Sequence, residues 1–403
     1  MTEGLRRRRT LSTTMSDMRL TAGSALLLVL ALPLTATAGT TPGLLPTPTT
    51  TIAPPPDSPF ADAVGGSALA TTGAPVVSDA APPLPVVNAP AWLVADLDTM
   101  SVLAALDAHA PLPPASTIKL LTALAVLPSV DAGEAYTATE HDAQTDGSRV
   151  GLVPGQPYSV ADLEHALLLA SGNDAAHALA MIVGGDAQAA ALMNDEAARL
   201  GAFDTNATTP HGLDAPGQVS SAYDLALIAR AVLADERLAA LVRTSTYDFP
   251  GMDGATFQIQ NHNRLLGSYD GAIGLKSGYT SIAGHTLVAA AERDGSRLVA
   301  VVLGAEQRAE PLAEALLDWG FAARAQTEPV GTLVTPEEVA AAVAADTQSP
   351  AAPPPSDTGT NVVDAAQATS WVWAVAVAAV VSALTVGVWR GRRRASGRYA
   401  DRV

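Results

Sequence analysis

Cysteine is absent from this 403-residue chain, so neither a disulfide framework nor a thiolate metal site is open to it. Lysine is almost as scarce: Lys119 and Lys276 are the only two, against 21 arginines. The seven histidines show no HExxH pattern or other tight ligand spacing, and no metal or cofactor is expected. Positive charge is thin through the middle of the chain. From Gly39 to Ser370 there are 12 Lys or Arg against 37 Asp or Glu, a formal charge of −25. A surface of that sign repels a phosphate backbone, which argues against nucleic acid as a partner. There is no internal repeat at solenoid spacing.

The two ends are different in kind. Arg6 to Arg9 and Arg19 precede an apolar run from Leu20 to Leu34, and Ala36-Thr37-Ala38 has the small-residue pattern of a cleavage site. Residues 1–38 therefore read as a signal peptide, with an uncleaved signal anchor as the alternative. Trp371 to Trp389 is 19 residues long without a charge, just enough to cross a hydrocarbon core at about 1.5 Å per residue. Trp371, Trp373 and Trp389 mark its edges. Arg390, Arg392, Arg393, Arg394, Arg398 and Arg402 follow, opposed only by Asp401. The positive-inside rule then puts the tail, 390–403, in the cytoplasm and the body outside. The expected location is the cell membrane, crossed once, with the body extracellular.

Between the ends, residues 39–90 are rich in proline, alanine and threonine and read as a spacer. Residues 91–321 carry regular apolar patterning and form the expected folded domain. Residues 322–370 read as an extension and second spacer, with Pro353-Pro354-Pro355 inside it. Trp92 to Leu97 has the pattern of a first strand, and Ser116 to Leu127 switches to a helical period after Pro113-Pro114. Helices also fit Val160 to Leu169, Asp186 to Leu200, Ser221 to Leu233 and about Ala309 to Trp319. His285 to Ala291 and Arg297 to Leu303 read as a hairpin across Asp294-Gly295. The expected class is mixed α/β (α+β), with strands that pair largely antiparallel.

Three short motifs carry chemistry. In Ser116-Thr117-Ile118-Lys119, residues three apart at a helix start share a face, so Ser116 Oγ and Lys119 Nζ can meet. A serine hydroxyl needs a base to become a nucleophile, and a lysine serves only when burial or nearby positive charge lowers its pKa. Ser171-Gly172-Asn173 ends an apolar helix and offers a hydroxyl and an amide; alone, it fits a helix C-cap equally well. Lys276-Ser277-Gly278, on a strand, would place Lys276 and Gly278 on one face, with Gly278 leaving room for substrate backbone. Alone, Lys276 also fits a surface position on an edge strand. In a chain that uses arginine for charge, Lys119 is the residue whose role arginine cannot fill, because only an amine loses its proton near neutrality.

Taken in order, these motifs resemble those of the active-site serine penicillin-recognising enzymes, and more narrowly the low-molecular-mass D-alanyl-D-alanine carboxypeptidases. The likeness extends to Asp174-Ala175-Ala176, Met193-Asn194, Pro210-His211-Gly212-Leu213, Tyr279-Thr280 and Asp318-Trp319-Gly320-Phe321. It implies a β-lactamase/DD-peptidase-like fold, an antiparallel sheet flanked by helices with a helical subdomain. It further implies that Ser116 attacks a terminal D-Ala-D-Ala bond of a peptidoglycan stem peptide with Lys119 as base. Ser171 would relay the proton, Asn173 would position the acyl group, and Lys276 with Ser277 would bind the terminal carboxylate. Gly278 would leave space for substrate, and the backbone N–H groups of Ser116 and Tyr279 would form the oxyanion hole. β-Lactams would trap Ser116 covalently.

This chain departs from the pattern in having Ser277 where threonine is usual, Thr117-Ile118 between the serine and lysine, and Met100-Ser101 after the first strand. Two other readings stay open. A serine β-lactamase would need a deacylating carboxylate, for which Glu196 and Glu236 are the candidates between Ser171 and Lys276. A non-catalytic peptidoglycan- or penicillin-binding protein would be expected to have lost a motif member, and none is missing.

Overall fold

The computed structural model describes residues 58–348. The expected signal, membrane segment and basic tail lie outside them. Among the described residues no single helix is long and apolar enough to cross a membrane.

Among the described residues, eleven strands fall into three sheets. The main sheet contains β1 (Val76–Val77), β2 (Ala91–Asp96) and β3 (Ser101–Leu106). A small pair, β4 (Ala135–Thr137) and β5 (Pro157–Ser159), and a hairpin, β6 (Thr246–Pro250) and β7 (Thr256–Gln260), stand apart from it. The main sheet resumes with β8 (Ala272–Thr280), β9 (Gly284–Arg293), β10 (Ser296–Ala305) and β11 (Gly331–Thr332). Its order is β1-β3-β2-β10-β9-β8, with β11 also pairing β3, and every pairing is antiparallel. β2, β9 and β10 are buried almost throughout, as strands covered on both faces must be.

Helix Glu310–Ala323 covers one face of the sheet, packing Leu316 and Leu317 with Leu298, Ala300 and Trp92. Helix Ala222–Ala234 lies against the other face and leads into the helical layer. That layer includes Lys119–Val126, Val160–Leu168, Asn173–Ile182 and Asp186–Leu200. Ser159 and Ser221 cap their helices as side-chain acceptors, and Gly201 ends Asp186–Leu200 at φ 84°, a left-handed conformation natural to glycine.

The expected helices, first strand and hairpin are present within one to four residues of their proposed ends. The domain boundary differs. Residues 58–90 lie within the stretch expected to be spacer, yet they pack on the body. Val64 and Leu69 enter the core, β1 pairs with β3, and the Trp319 indole N–H donates to the Pro82 carbonyl at 3.1 Å. Few, widely spaced apolar residues do this, so composition hid it. On the other side, residues 331–348 add β11 and helix Pro336–Gln348 to the body. Met100, standing where the resemblance would have glycine nearby, takes φ 60° in the turn between β2 and β3.

Candidate active site

The site forms where the free edge of β8 meets the turn that precedes helix Lys119–Val126. Ala115–Ile118 is a turn of 3-10 helix rather than the start of the α-helix. The Thr117 and Thr286 hydroxyls both donate to the Pro114 carbonyl, at 2.6 and 3.0 Å, and Ala115 takes φ 49°. These contacts hold Ser116 against the strand. A Cβ on Gly278 would stand 2.7 Å from the Ser116 nitrogen and 2.6 Å from Thr286 Oγ1, so only glycine permits this approach.

Lys119 is fully buried, and its Nζ has three neighbours: Ser116 Oγ at 3.0 Å, Asn173 Oδ1 at 2.7 Å and the His211 carbonyl. Burial first, then the positive charge of Lys276, holds its amine well below the ordinary lysine value; Asp174 opposes them. Two of the three neighbours are carbonyl oxygens, which only accept. In the neutral amine they consume both N–H groups, and the remaining lone pair faces the Ser116 hydroxyl. Sequence spacing alone brings Ser116 and Lys119 together; the orientation of the amine comes from Asn173 and the Pro210-His211-Gly212 loop.

Ser171 lines the cleft at φ 58°, held there because Gly172 donates to Ala166 O and Asn173 to Ser148 O, at 2.9 and 2.7 Å. Asn173 is buried, with its amide nitrogen donating to Asp146 O at 2.6 Å and its oxygen accepting from Lys119. Its amide thus orients the amine and the facing loop. Asp174, fully buried at the start of the same helix, accepts from the backbone N–H groups of Val150, Gly151 and Leu152 at 2.8–3.1 Å.

Lys276 shares a face of β8 with Gly278, is 1% exposed, and donates to Ser277 O at 2.8 Å. Burial pushes its amine down to about 7. Strand alternation gave the face correctly but not the depth. The wall of the cleft is made instead by Ser277, Gly278 and Tyr279 of β8, with Arg149, Arg264 and Arg308 as its cations. Arg308 is paired with Glu310 at 2.5 Å. The cleft encloses about 830 Å³. His262 also lines it, and burial and the charge of Lys276 lower its pKa; burial and Lys119 push His211 down to about 4. Sequence reasoning missed Arg308, which no local spacing announces.

Comparison with known proteins decides the family. A family model for D-alanyl-D-alanine carboxypeptidases matches residues 77–307. The chain belongs to that family. It is a serine-type carboxypeptidase, 44% identical over 258 residues to the D-alanyl-D-alanine carboxypeptidase DacB2 of Mycobacterium tuberculosis, covering 62% of this chain and 88% of that protein. It is 38% identical over 253 residues to DacC of Escherichia coli, covering 59% of this chain and 62% of the relative, so it spans less than two thirds of that longer protein. A crystal structure of a D-alanyl-D-alanine carboxypeptidase from M. tuberculosis superposes with a TM-score of 0.61 at 42% identity, covering 64% of this chain and 99% of that one. The K15 DD-transpeptidase of Streptomyces, in an altered form, gives 0.56 at 27%, covering 59% and 99%.

Proposed function

We propose that the enzyme removes the terminal D-alanine from peptidoglycan stem peptides, through an acyl-enzyme on Ser116. The observation that carries this is the geometry at Lys119, a buried amine with its two carbonyl partners on one side and the serine hydroxyl 3.0 Å away on the other. Neutral Lys119 accepts the Ser116 proton as Oγ attacks the carbonyl carbon. Backbone N–H groups of Ser116 and Tyr279 receive the developing oxyanion where Gly278 lets strand and turn touch. Ser171, on the opposite wall, passes the proton to the leaving D-alanine, whose carboxylate lies against Ser277 and the cleft arginines. Water then attacks the ester and frees Ser116. β-Lactams, which present a strained amide to the same serine, stop at the first step.

The arrangement favours the carboxypeptidase over a β-lactamase. Glu196 is paired with Arg199 at 2.6 Å and Glu236 opens helix Glu236–Arg243; neither belongs to the cleft wall. We further propose that the body works outside the cell membrane, anchored by residues 371–389 with the tail in the cytoplasm. This rests on the uncharged run, its tryptophan edges and the arginines that follow.

The test joins penicillin labelling to D-alanine release from a D-Ala-D-Ala peptide. One label per chain at Ser116, its loss in Ser116→Ala, and release of a single D-alanine are expected. Fast penicillin turnover without peptide cleavage would move the assignment to a lactamase.

A further inference from the structure

Gln218 is buried and does not line the cleft of Ser116, yet its side chain makes five hydrogen bonds to one loop. Its Oε1 accepts from the backbone N–H groups of Thr208 and Thr209, both at 2.9 Å, and from the Thr208 hydroxyl at 3.3 Å. Its Nε2 donates to Thr209 Oγ1 at 2.8 Å and to Leu213 O at 3.1 Å. Both amide hydrogens are used, and the amide oxygen serves both backbone donors.

The side chain is carried on a braced segment. Val219 exchanges two backbone hydrogen bonds with Asn206, at 3.0 and 3.1 Å, and Ser220 exchanges two with Leu112, both at 2.9 Å. Leu112 stands just ahead of the turn that bears Ser116, so the mount of Gln218 is tied to the nucleophile's own segment.

Between the two ends that Gln218 grips, 208–209 and 213, the loop carries Pro210, His211 and Gly212. The His211 carbonyl accepts from Lys119 Nζ, and the Pro210 carbonyl accepts from Thr122 Oγ1 at 2.7 Å. A Cβ on Gly212 would stand 2.2 Å from the Ala115 oxygen, so the loop lies against the nucleophile's turn. Thr122 holds the middle of the loop and Gln218 holds its ends.

We propose that Gln218 is a positioning residue for the base: by clamping both ends of the 208–213 loop it fixes the His211 carbonyl, and with it the direction of the Lys119 lone pair towards Ser116. The inference rests on Lys119 acting as the base. In the neutral amine, the bonds to Asn173 Oδ1 and His211 O determine where the lone pair points. With the second acceptor loosened, the amine turns about its Cε–Nζ bond and meets Ser116 Oγ in only a share of its orientations. That carbonyl also stabilises the ammonium more than the amine, because the bond to the charged form is charge-assisted. Loosening it makes Lys119 easier to deprotonate and, once neutral, less well aimed.

The experiment measures penicillin acylation of Ser116 against pH in the full chain and in Gln218→Met, which keeps the length of the side chain and loses its amide. The plateau rate falls about ten- to hundredfold. Labelling still reaches one penicillin per chain, and the acid limb moves to lower pH. Lys276 and Asp174, whose charges act on Lys119, are the same in both proteins and cancel from the comparison. If Gln218→Met takes no label, Thr122→Val, which loosens the same loop at Pro210, is read in its place and shows the same two shifts. A lower melting temperature with plateau and limb unmoved would overturn the proposal and leave Gln218 a structural residue. A limb that moved to higher pH would overturn it as well. Acylation independent of pH in the unaltered enzyme would instead remove Lys119 as the base, and the positioning role with it.

Discussion

Lys119 and Lys276 are both buried, and the positive charge of Lys276 makes Lys119 easier to deprotonate. Catalysis needs Lys119 neutral, so acylation rises with pH as that amine loses its proton. Replacing Lys276 by glutamine removes a positive neighbour, which raises the Lys119 pKa and moves the acid limb of penicillin acylation to higher pH. A pH–rate profile of the variant checks this; an unmoved limb would remove Lys276 from the electrostatics of the base. Stability rises with pH as well. The folded amine of Lys276 titrates at about 7 against an ordinary 10.5, so between those values the unfolded chain binds more protons and stability rises with pH. Below pH 7 the buried charge costs on the order of 5 kcal/mol. Lys276→Met should therefore raise the melting temperature at pH 6, with a gain that fades as the pH approaches 10. The scarcity of lysine pointed to both residues, but the sequence carried no sign that Lys276 is buried. An alternating strand declares which side a residue takes, while depth depends on what the distant Ala115–Ile118 turn places over it.

At the scale of elements, helix Asn173–Ile182 organises the cleft with its first two residues. Asn173 turns the lysine, and Asp174 gathers three N–H groups of the 150–152 loop. Asp174→Asn keeps one acceptor oxygen but aims an NH₂ group at backbone donors. Loss of charge-assisted bonds in a buried place costs about 2–3 kcal/mol. Faster hydrogen exchange at Val150 to Leu152 should report it. The Asp174 charge also holds the Lys119 pKa up, so its removal shifts the acid limb of acylation to lower pH, opposite to the Lys276 variant. If both variants moved the limb in the same direction, neither assignment would stand. The five expected helices were legible because their apolar residues repeat at helical spacing; Asn173–Ile182, buried on nearly every side, shows no such period and was not expected. β8 was harder: Gly274, Lys276, Ser277 and Gly278 break its apolar pattern because the strand serves the site. The β6–β7 hairpin, in which only Phe249 and Ile259 are buried, lacked the signal altogether.

Across the whole molecule, the segments before β2 and after helix Glu310–Ala323 meet on β3, although more than 200 residues separate them in the sequence. β1 and β11 both pair with that strand. The Thr332 N–H donates to Gly65 O at 2.8 Å, and the Tyr223 hydroxyl donates to Thr332 O at 2.7 Å while accepting from Val334 N at 3.1 Å. His109 ties the same region to the body, one ring nitrogen on Val64 O at 3.1 Å and the other on Asp204 at 2.7 Å. Residues 58–90 therefore act as part of the catalytic body. Deleting them takes Val64 and Leu69 out of the core, where their burial contributes about 1.5–3 kcal/mol each, and strips a strand from β3. A chain starting at Ala91 should melt well below one starting at Ser58, or fail to fold, by calorimetry of the two side by side. None of these contacts touches Ser116, so any folded fraction of the shorter chain should still take one penicillin label. Equal melting temperatures would mean that this stretch only rests on the surface; a shorter chain that is stable yet unlabelled would mean that it shapes the cleft.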